Sequence, residues 1–306
     1  MQSFLHDPHS DDLGARLVEW LAIPRAPDYQ PWALVDMSML DAGVLGRLER
    51  LTGASVALLD GSRYAAYEEL GPRLIPLSSI SPPAIERFVA HFSGRPALSF
   101  VELPTCERSP DLAGLARLAE AETSDGLQLY CRFSDTRILP NVLQALDPQQ
   151  TERLARTVRR WAWIGRDGHL QSSKFAEKTS KRASESDEPF QLSDAQFSAL
   201  MQAAECDTLH QLLCDISPEI IPDLPGSAIH RKLDRLLSVA RDYGITEAPD
   251  QLQFVTIAWS SSEHFHELSS LSSTWNTTRS AKQRFGEAVK DWSDEIWDEI
   301  ESMANN

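Results

Sequence analysis

The sequence predicts an α/β amino-terminal domain, with a mixed sheet and helices, followed by an all-α carboxy-terminal domain. Three observations carry that prediction. Strand-like and helix-like segments alternate up to about residue 172, the pattern of a layered α/β unit. Residues 172–189 (SSKFAEKTSKRASESDEP) then lose nearly all apolar character. From Leu192 onward the apolar residues recur only at helical spacing. These mark a domain over 1–172, a linker over 173–190 that is the expected protease-sensitive boundary, and a helical domain over 191–306.

In the first domain, Leu13, Leu17, Trp20 and Leu21 fall on one face of an opening helix. Strands are predicted over 33–37, 55–59, 73–77, 97–103 and 127–133. Helices are predicted between them over 40–51, 83–92 and 111–121. Strand order is not legible from this alternation.

The segment 129–170 holds the densest local information. Leu127, Leu129, Cys131 and Phe133 alternate with polar residues at a period of two, as in a half-buried strand. Asp135 stands where a helix would begin and can cap its free amides. Ile138, Val142, Leu143 and Leu146 follow at helical spacing. Asp147-Pro148-Gln149-Gln150 reads as a cap, a proline in the first turn and a capping-box glutamine. Leu154, Val158 and Trp161 are assigned to the stripe of that second helix. Asp167-Gly168 predicts a hairpin turn between Trp163-Ile164 and His169-Leu170.

Arg132, Asp135 and Arg137 gather at the strand-to-helix elbow. They read either as a local salt bridge fixing the corner or as a recognition patch. On the patch reading, charge reversal at both arginines weakens partner capture and leaves folding intact. Trp161 and Trp163 read as core tryptophans with an interface alternative.

In the helical domain, Ser193-Asp194-Ala195-Gln196 is a capping box ahead of Phe197, Leu200 and Met201. Ser227 is expected to cap a long helix carrying Ile229, Leu233, Leu236, Leu237, Ala240 and Tyr243, with Gly244 ending it. Residues 251–259 read as a buried helix. Residues 260–273, rich in serine, read as loop, and 272–279 as a continuing polar connection. Phe285, Val289, Trp292, Ile296, Ile300 and Met303 form a terminal helical stripe, opposed by Asp291, Asp294, Glu295, Asp298, Glu299 and Glu301, with Trp297 beside it. The stripe either packs on its own domain or engages a partner groove, with Trp292 and Trp297 as the contact residues.

The bulk numbers limit the function classes. Apolar residues make up 42% of the 306 residues, a globular composition. The formal net charge of −16 repels phosphate backbones and anionic lipid, so nucleic acid and membrane are not expected as partners. It either serves solubility or favours basic partner surfaces. The cysteines Cys106, Cys131, Cys206 and Cys214 lack metal or redox spacing. The start of the sequence has no basic, apolar leader pattern and no apolar run is long enough for a bilayer, so a cytoplasmic location with reduced thiols is expected.

Short catalytic motifs are missing: no G-x-S-x-G, H-E-x-x-H, Walker loop or G-x-G-x-x-G occurs. Glu263-His264-Phe265-His266-Glu267 is the nearest approach to a metal constellation, without a third ligand at a telling spacing. Asp60-Gly61-Ser62-Arg63 reads as a turn after a strand rather than a nucleophile elbow. The chain is therefore expected not to be an enzyme and to need no cofactor or metal.

Cys131-Arg132-Phe133-Ser134-Asp135-Thr136-Arg137-Ile138-Leu139 resembles the phenylalanine-arginine-phenylalanine-tyrosine-aspartate-proline-arginine-valine-leucine run of the type VI secretion adaptor (chaperone) family, catalogued as domain of unknown function 4123. Cys131, Ser134 and Thr136 depart from it. Ala33-Leu34-Val35-Asp36 is similar to the family's first strand. Ala57-Leu58-Leu59-Asp60-Gly61 and Glu69-Leu70-Gly71-Pro72-Arg73-Leu74-Ile75-Pro76-Leu77 are similar to its second block. The segments 192–196 and 240–246 resemble the helical extension such adaptors often carry. The resemblance implies a non-enzymatic adaptor that binds a toxin effector and delivers it to the VgrG spike, with or without a PAAR-type tip. An α/β hydrolase-like enzyme with a helical cap and a toxin-neutralising immunity protein are the alternatives. The hydrolase reading requires Asp60, Ser62, Asp135 and His169 to converge.

Overall fold

The computed structural model of the chain describes residues 4–175 and 190–304, except positions 42, 61, 68, 79, 107, 108 and 111. The amino-terminal part is α/β and the carboxy-terminal part helical, as the sequence predicts. Contacts divide the chain into residues 1–203 and 204–306.

The first unit contains α1 (Leu13–Ala22), β1 (Tyr29–Asp36), α2 (Val44–Thr52), β2 (Val56–Ala57), β3 (Pro72–Pro76), α3 (Pro82–Val89), β4 (Leu98–Cys106), β5 (Ser109–Pro110), α4 (Ala113–Ala119), β6 (Glu120–Thr123), β7 (Gln128–Tyr130), α5 (Leu139–Ala145), α6 (Pro148–Thr157), β8 (Arg160–Ile164), β9 (Leu170–Lys174) and β10 (Phe190–Leu192). The large sheet runs β2-β3-β1-β4-β8-β9, with β5 on β4, and all its pairs are antiparallel. A small sheet runs β10-β6-β7, where β10 lies parallel to β6. The sheets are therefore mixed only through this short pair.

Strand alternation sends side chains to both faces of the large sheet. Ala33, Val35, Ile75, Leu98, Phe100, Ala162 and Ile164 pack with α1, α2 and α3. Trp32, Leu34, Leu74, Val101, Leu103, Trp161 and Trp163 pack on the other face with α4, α5 and α6. Burial on both faces explains why β1 reads as a nearly continuous apolar run.

The β8–β9 hairpin forms as predicted. Gly165 accepts a bond from Gly168 at 2.9 Å and donates to His169 at 2.9 Å, and Gly168 adopts φ +75°. A Cβ there would also collide with the carbonyl oxygen of Pro8, because the amino-terminal segment crosses the turn. The capping box of α6 is complete, with Asp147 accepting from the amides of Gln149 and Gln150.

Several expectations are corrected. The strand predicted over 127–133 shrinks to β7 and joins the small sheet, and Leu127 is exposed. Asp135 does not cap α5. Its carboxylate accepts from the Arg137 amide in a turn, and the helix starts at Leu139. Trp161 is not on α6, which ends at Thr157. It lies in β8 with its side chain fully enclosed. The expected linker over 173–190 falls mostly outside the described residues. Residues 173–174 belong to β9, and 176–189 lie outside the described residues. β10 pairs with β6, and Gln196 bonds the Ala145 carbonyl and Gln150, which ties 190–203 to the first unit.

Helix α7 (Asp194–Ile216) runs through the division, and the Ser193–Gln196 capping box forms. The second unit continues with α8 (Gly226–Asp242), α9 (Ala248–Ser260), α10 (Ser272–Arg279), α11 (Phe285–Ala288) and α12 (Asp294–Ala304). Its core is aromatic: Phe254, Phe265, Trp275, Phe285 and Trp292 contact one another, with Trp275 stacked on Phe285 at 5.8 Å. Gly244 ends α8 at φ +78°, where a Cβ would meet the Thr278 carbonyl oxygen at 2.7 Å.

Ser227 lies inside α8 and makes no cap; Pro225 occupies the cap position. The region 260–279 is not a plain loop. It forms two 3-10 turns and α10, because Phe265, Leu271 and Trp275 are buried anchors among the serines. The terminal stripe is not one helix. A 3-10 turn over Val289–Asp291 and the extended Trp292 separate α11 from α12.

Candidate functional site

The elbow after β7 is built around two separate ion pairs. Asp36, at the end of β1, has a side chain only 3% exposed. It accepts from Arg132 Nε at 2.9 Å, from Ser134 Oγ at 3.0 Å, and from the amide and hydroxyl of Ser38 at 3.1 and 2.7 Å. Arg132 also donates to Ser38 Oγ. Asp135, fully buried, pairs with Arg137 through Nε and Nη2, the latter at 2.7 Å. The Arg137 guanidinium lies 5.2 Å from the ring centroid of Phe4. Two further ties hold the corner. Thr136 donates its amide to the Pro96 carbonyl, and Phe133 meets Trp161 edge to face at 5.8 Å.

Arg132, Asp135 and Arg137 are thus at one corner, as the sequence predicts, but each arginine is committed to a carboxylate. Asp36 is the partner that sequence reading missed. Its signal is a carboxylate ending the apolar run Ala33-Leu34-Val35, a position the β period buries.

Two neighbouring titratable groups are held in their protonated forms by their surroundings. Burial pushes the Cys131 thiol up to about 12, so it stays protonated near neutral pH. Burial, with Asp36 adding, pushes the Tyr130 hydroxyl up to about 12. Tyr130 packs edge to face on Tyr64 at 5.0 Å, and Arg63 lies over Tyr64.

A second buried charge group was also missed. Glu102 on β4 is opposite Arg160 on β8 in register and bonds its guanidinium. Arg25 Nε approaches the other Glu102 oxygen at 3.9 Å, and Arg160 lies over the Trp20 ring at 4.8 Å. Nothing in the local pattern separates these charges from exposed ones, because the pairing is between strands distant in sequence.

The remaining candidates are dispersed. Trp161 is fully enclosed and donates to Ser99 Oγ at 3.1 Å, so its contact role is withdrawn. Trp292 is buried and donates to Thr274 Oγ1 at 3.0 Å, so it too is core. Trp297 is half-buried and packs on Trp292 at 5.2 Å. His264 faces Glu267 at 3.1 Å, while His266 packs on Tyr243 and Phe254. Among the described residues no three His, Cys, Asp or Glu side chains group to hold a metal. Ser62 Oγ donates to the Leu59 carbonyl, His169 lies 3.8 Å from Asp12, and Asp135 holds Arg137. Ser62, His169 and Asp135 are thus each engaged with a different partner. No helix among the described residues is long and apolar enough to cross a membrane.

Residues 31–153 match the family model described as a domain of unknown function (DUF4123). The match starts within β1 and ends within α6, and it includes both ion pairs of the elbow. No curated protein and no solved structure matches the chain.

Proposed function

We propose that the chain is a non-enzymatic adaptor that binds a type VI secretion toxin effector and loads it onto the VgrG spike. The observation that carries this reading is the family match over residues 31–153, because that family is associated with type VI effector adaptors. The chemistry of the matched segment supports it. Its charged elbow residues neutralise one another, and its Cys131 thiol is held protonated, so the elbow is suited to maintaining a shape rather than to turnover.

The work of such a protein is binding. It covers an exposed segment of the effector, keeps it competent for export in the cytoplasm, and hands it over at the spike, with or without a PAAR-type tip. The acidic surface favours basic protein partners and disfavours nucleic acid and anionic lipid.

Co-purification of the tagged protein with the products of its neighbouring genes, followed by mass determination, tests the proposal. A stoichiometric complex with a spike protein or a large toxin is expected. A clean monomer, with those products present and soluble, overturns it.

A further inference from the structure

Residues 212–224 carry three of the large apolar side chains that the described surface exposes: Leu212 (37%), Ile216 (63%) and Leu224 (41%). Ile220, half-buried, falls between the last two, so an aliphatic side chain recurs every four residues. Each of the last three follows an exposed carboxylate: Asp215-Ile216, Glu219-Ile220 and Asp223-Leu224. Leu212 and Ile216 sit one turn apart on α7, on the flank of the face that buries Leu209 and Leu213. The chain then passes through the 3-10 turn Pro218–Ile220 to Leu224.

Pro218, Pro222 and Pro225 fix φ at short intervals along this segment. Side chains presented from so restrained a backbone lose little freedom when a partner arrives. The surrounding field has one sign. Residues 204–306 contain 18 carboxylates against eight Lys and Arg, a net charge of −10 out of the chain's −16.

We propose that Leu212, Ile216, Ile220 and Leu224, rimmed by Asp215, Glu219 and Asp223, form a docking strip for a basic amphipathic helix of the cargo protein. Aliphatic side chains at i, i+4 and i+8 of that helix lie on the strip, and its flanking Lys or Arg residues meet the three carboxylates. The inference rests on the adaptor reading for the identity of the cargo, and on the strip alone for the chemistry. A nucleic acid is repelled by the rim, and an acidic helix is rejected by it.

The test titrates a fluorescent helical peptide of leucine and lysine, about 18 residues long and so ~27 Å, with the full chain and reads anisotropy. Binding weakens with salt, and a glutamate-for-lysine peptide does not bind. Ile216→Ser with Ile220→Ser keeps every charge and weakens affinity at least about tenfold. Asp215→Lys, Glu219→Lys and Asp223→Lys together do the same. The same charge change placed on α12, at Asp294, Glu295 and Asp298, retains binding. Equal loss from the α12 variant, or none from the strip variants, overturns the strip. Circular dichroism of each variant establishes folding, and either strip variant, if folded, suffices.

The neighbouring-gene complex separates the two proposals. A wild-type complex that survives both strip variants refutes the strip and leaves the adaptor reading standing. Specific peptide binding without any effector or spike complex refutes the adaptor reading and leaves the strip.

Discussion

Arg132→Glu distinguishes a structural elbow from a recognition patch. Asp36 is nearly inaccessible and relies on one cation. The substitution removes a charge-assisted hydrogen bond, about 1.5–3 kcal/mol. It also brings a second carboxylate toward the first. Two like charges ~4 Å apart cost about 4 kcal/mol at an effective dielectric of ~20. Part of this is relieved, because Arg132 is 34% exposed and a glutamate there can turn to solvent. Ser38 and Ser134 still donate to Asp36. The net expectation is about 3 kcal/mol, at the low end for breaking a buried pair.

For a unit of this size, about 2–4 °C per kcal/mol gives a fall of roughly 6–12 °C in the unfolding temperature. Differential scanning calorimetry of the full chain reads it, with the helical unit's own transition as an internal reference if the two units melt separately. Arg132→Lys keeps the cation and loses the fork to Ser38, for about 1 kcal/mol. An Arg132→Glu protein that melts within a degree or two of the parent, yet fails to capture its partner, would refute the structural argument and restore the patch. The geometry therefore reverses the sequence expectation that charge reversal leaves folding intact.

Four other outcomes are expected. Trp161→Ala empties a fully enclosed site and costs about 3–5 kcal/mol by urea unfolding; a loss under 1 kcal/mol would mean the site is open to water. Gly168→Ala forces a side chain into a positive-φ turn against Pro8, so residues 4–10 should become cleavable in limited proteolysis while the hairpin's fold persists; unchanged cleavage would contradict the close crossing. Glu102→Gln leaves Arg160 buried without its anion and costs about 3–5 kcal/mol, read by chemical denaturation; Glu102→Gln with Arg160→Met should recover much of that loss, and no recovery would deny the pairing. Burial holds His9 down at about 4 and lowers His6, so both favour the neutral form in the folded chain. The His9 contribution is complete above the unfolded value of ~6.5 and is lost as pH falls toward 4, about 1–2 kcal/mol after allowance for partial exposure, and the His6 contribution falls in the same direction. Calorimetry at pH 7.5, 6 and 5 should show this fall diminished in His9→Gln.

Local physics made much of the first unit legible. The apolar run of β1, the Asp147 capping box and the Asp167-Gly168 turn are short-range signals, and each formed where its residues stood. What failed depended on partners far along the chain. Phe133 leaves the strand pattern because Trp161 takes its ring. Asp135 is the exception, a local one: Arg137, two residues on, holds it away from α5. Trp161 itself keeps helical spacing to Leu154 and Val158 by coincidence, since its environment is set by β4. Serines over 260–279 outvoted three buried anchors, and the aromatic partners of two of them, Phe265 and Trp275, are Tyr243, Phe254 and Phe285, distant in sequence. The buried Glu102–Arg160 pair had no local signature at all.

On the proposed function, the distribution of charge bears on how such an adaptor would vary. In the matched segment the carboxylates of Asp36, Glu102 and Asp135 are all turned inward, where each holds a strand or a corner. A substitution there changes stability before it changes a surface. Leu212, Asp215, Ile216, Glu219, Asp223 and Leu224 lie outside the matched segment and present aliphatic and acidic side chains directly to solvent. A substitution there changes a binding surface at little cost to the core. On the proposed function, the matched segment maintains the common scaffold and the helical unit tunes which cargo is accepted. Replacing Leu212, Asp215, Ile216, Glu219, Ile220, Asp223 and Leu224 together, with the buried Leu213 kept, should alter cargo choice in the neighbouring-gene pull-down without lowering the first unit's unfolding temperature. A fall in that temperature with cargo choice unchanged would assign the segment to the fold instead.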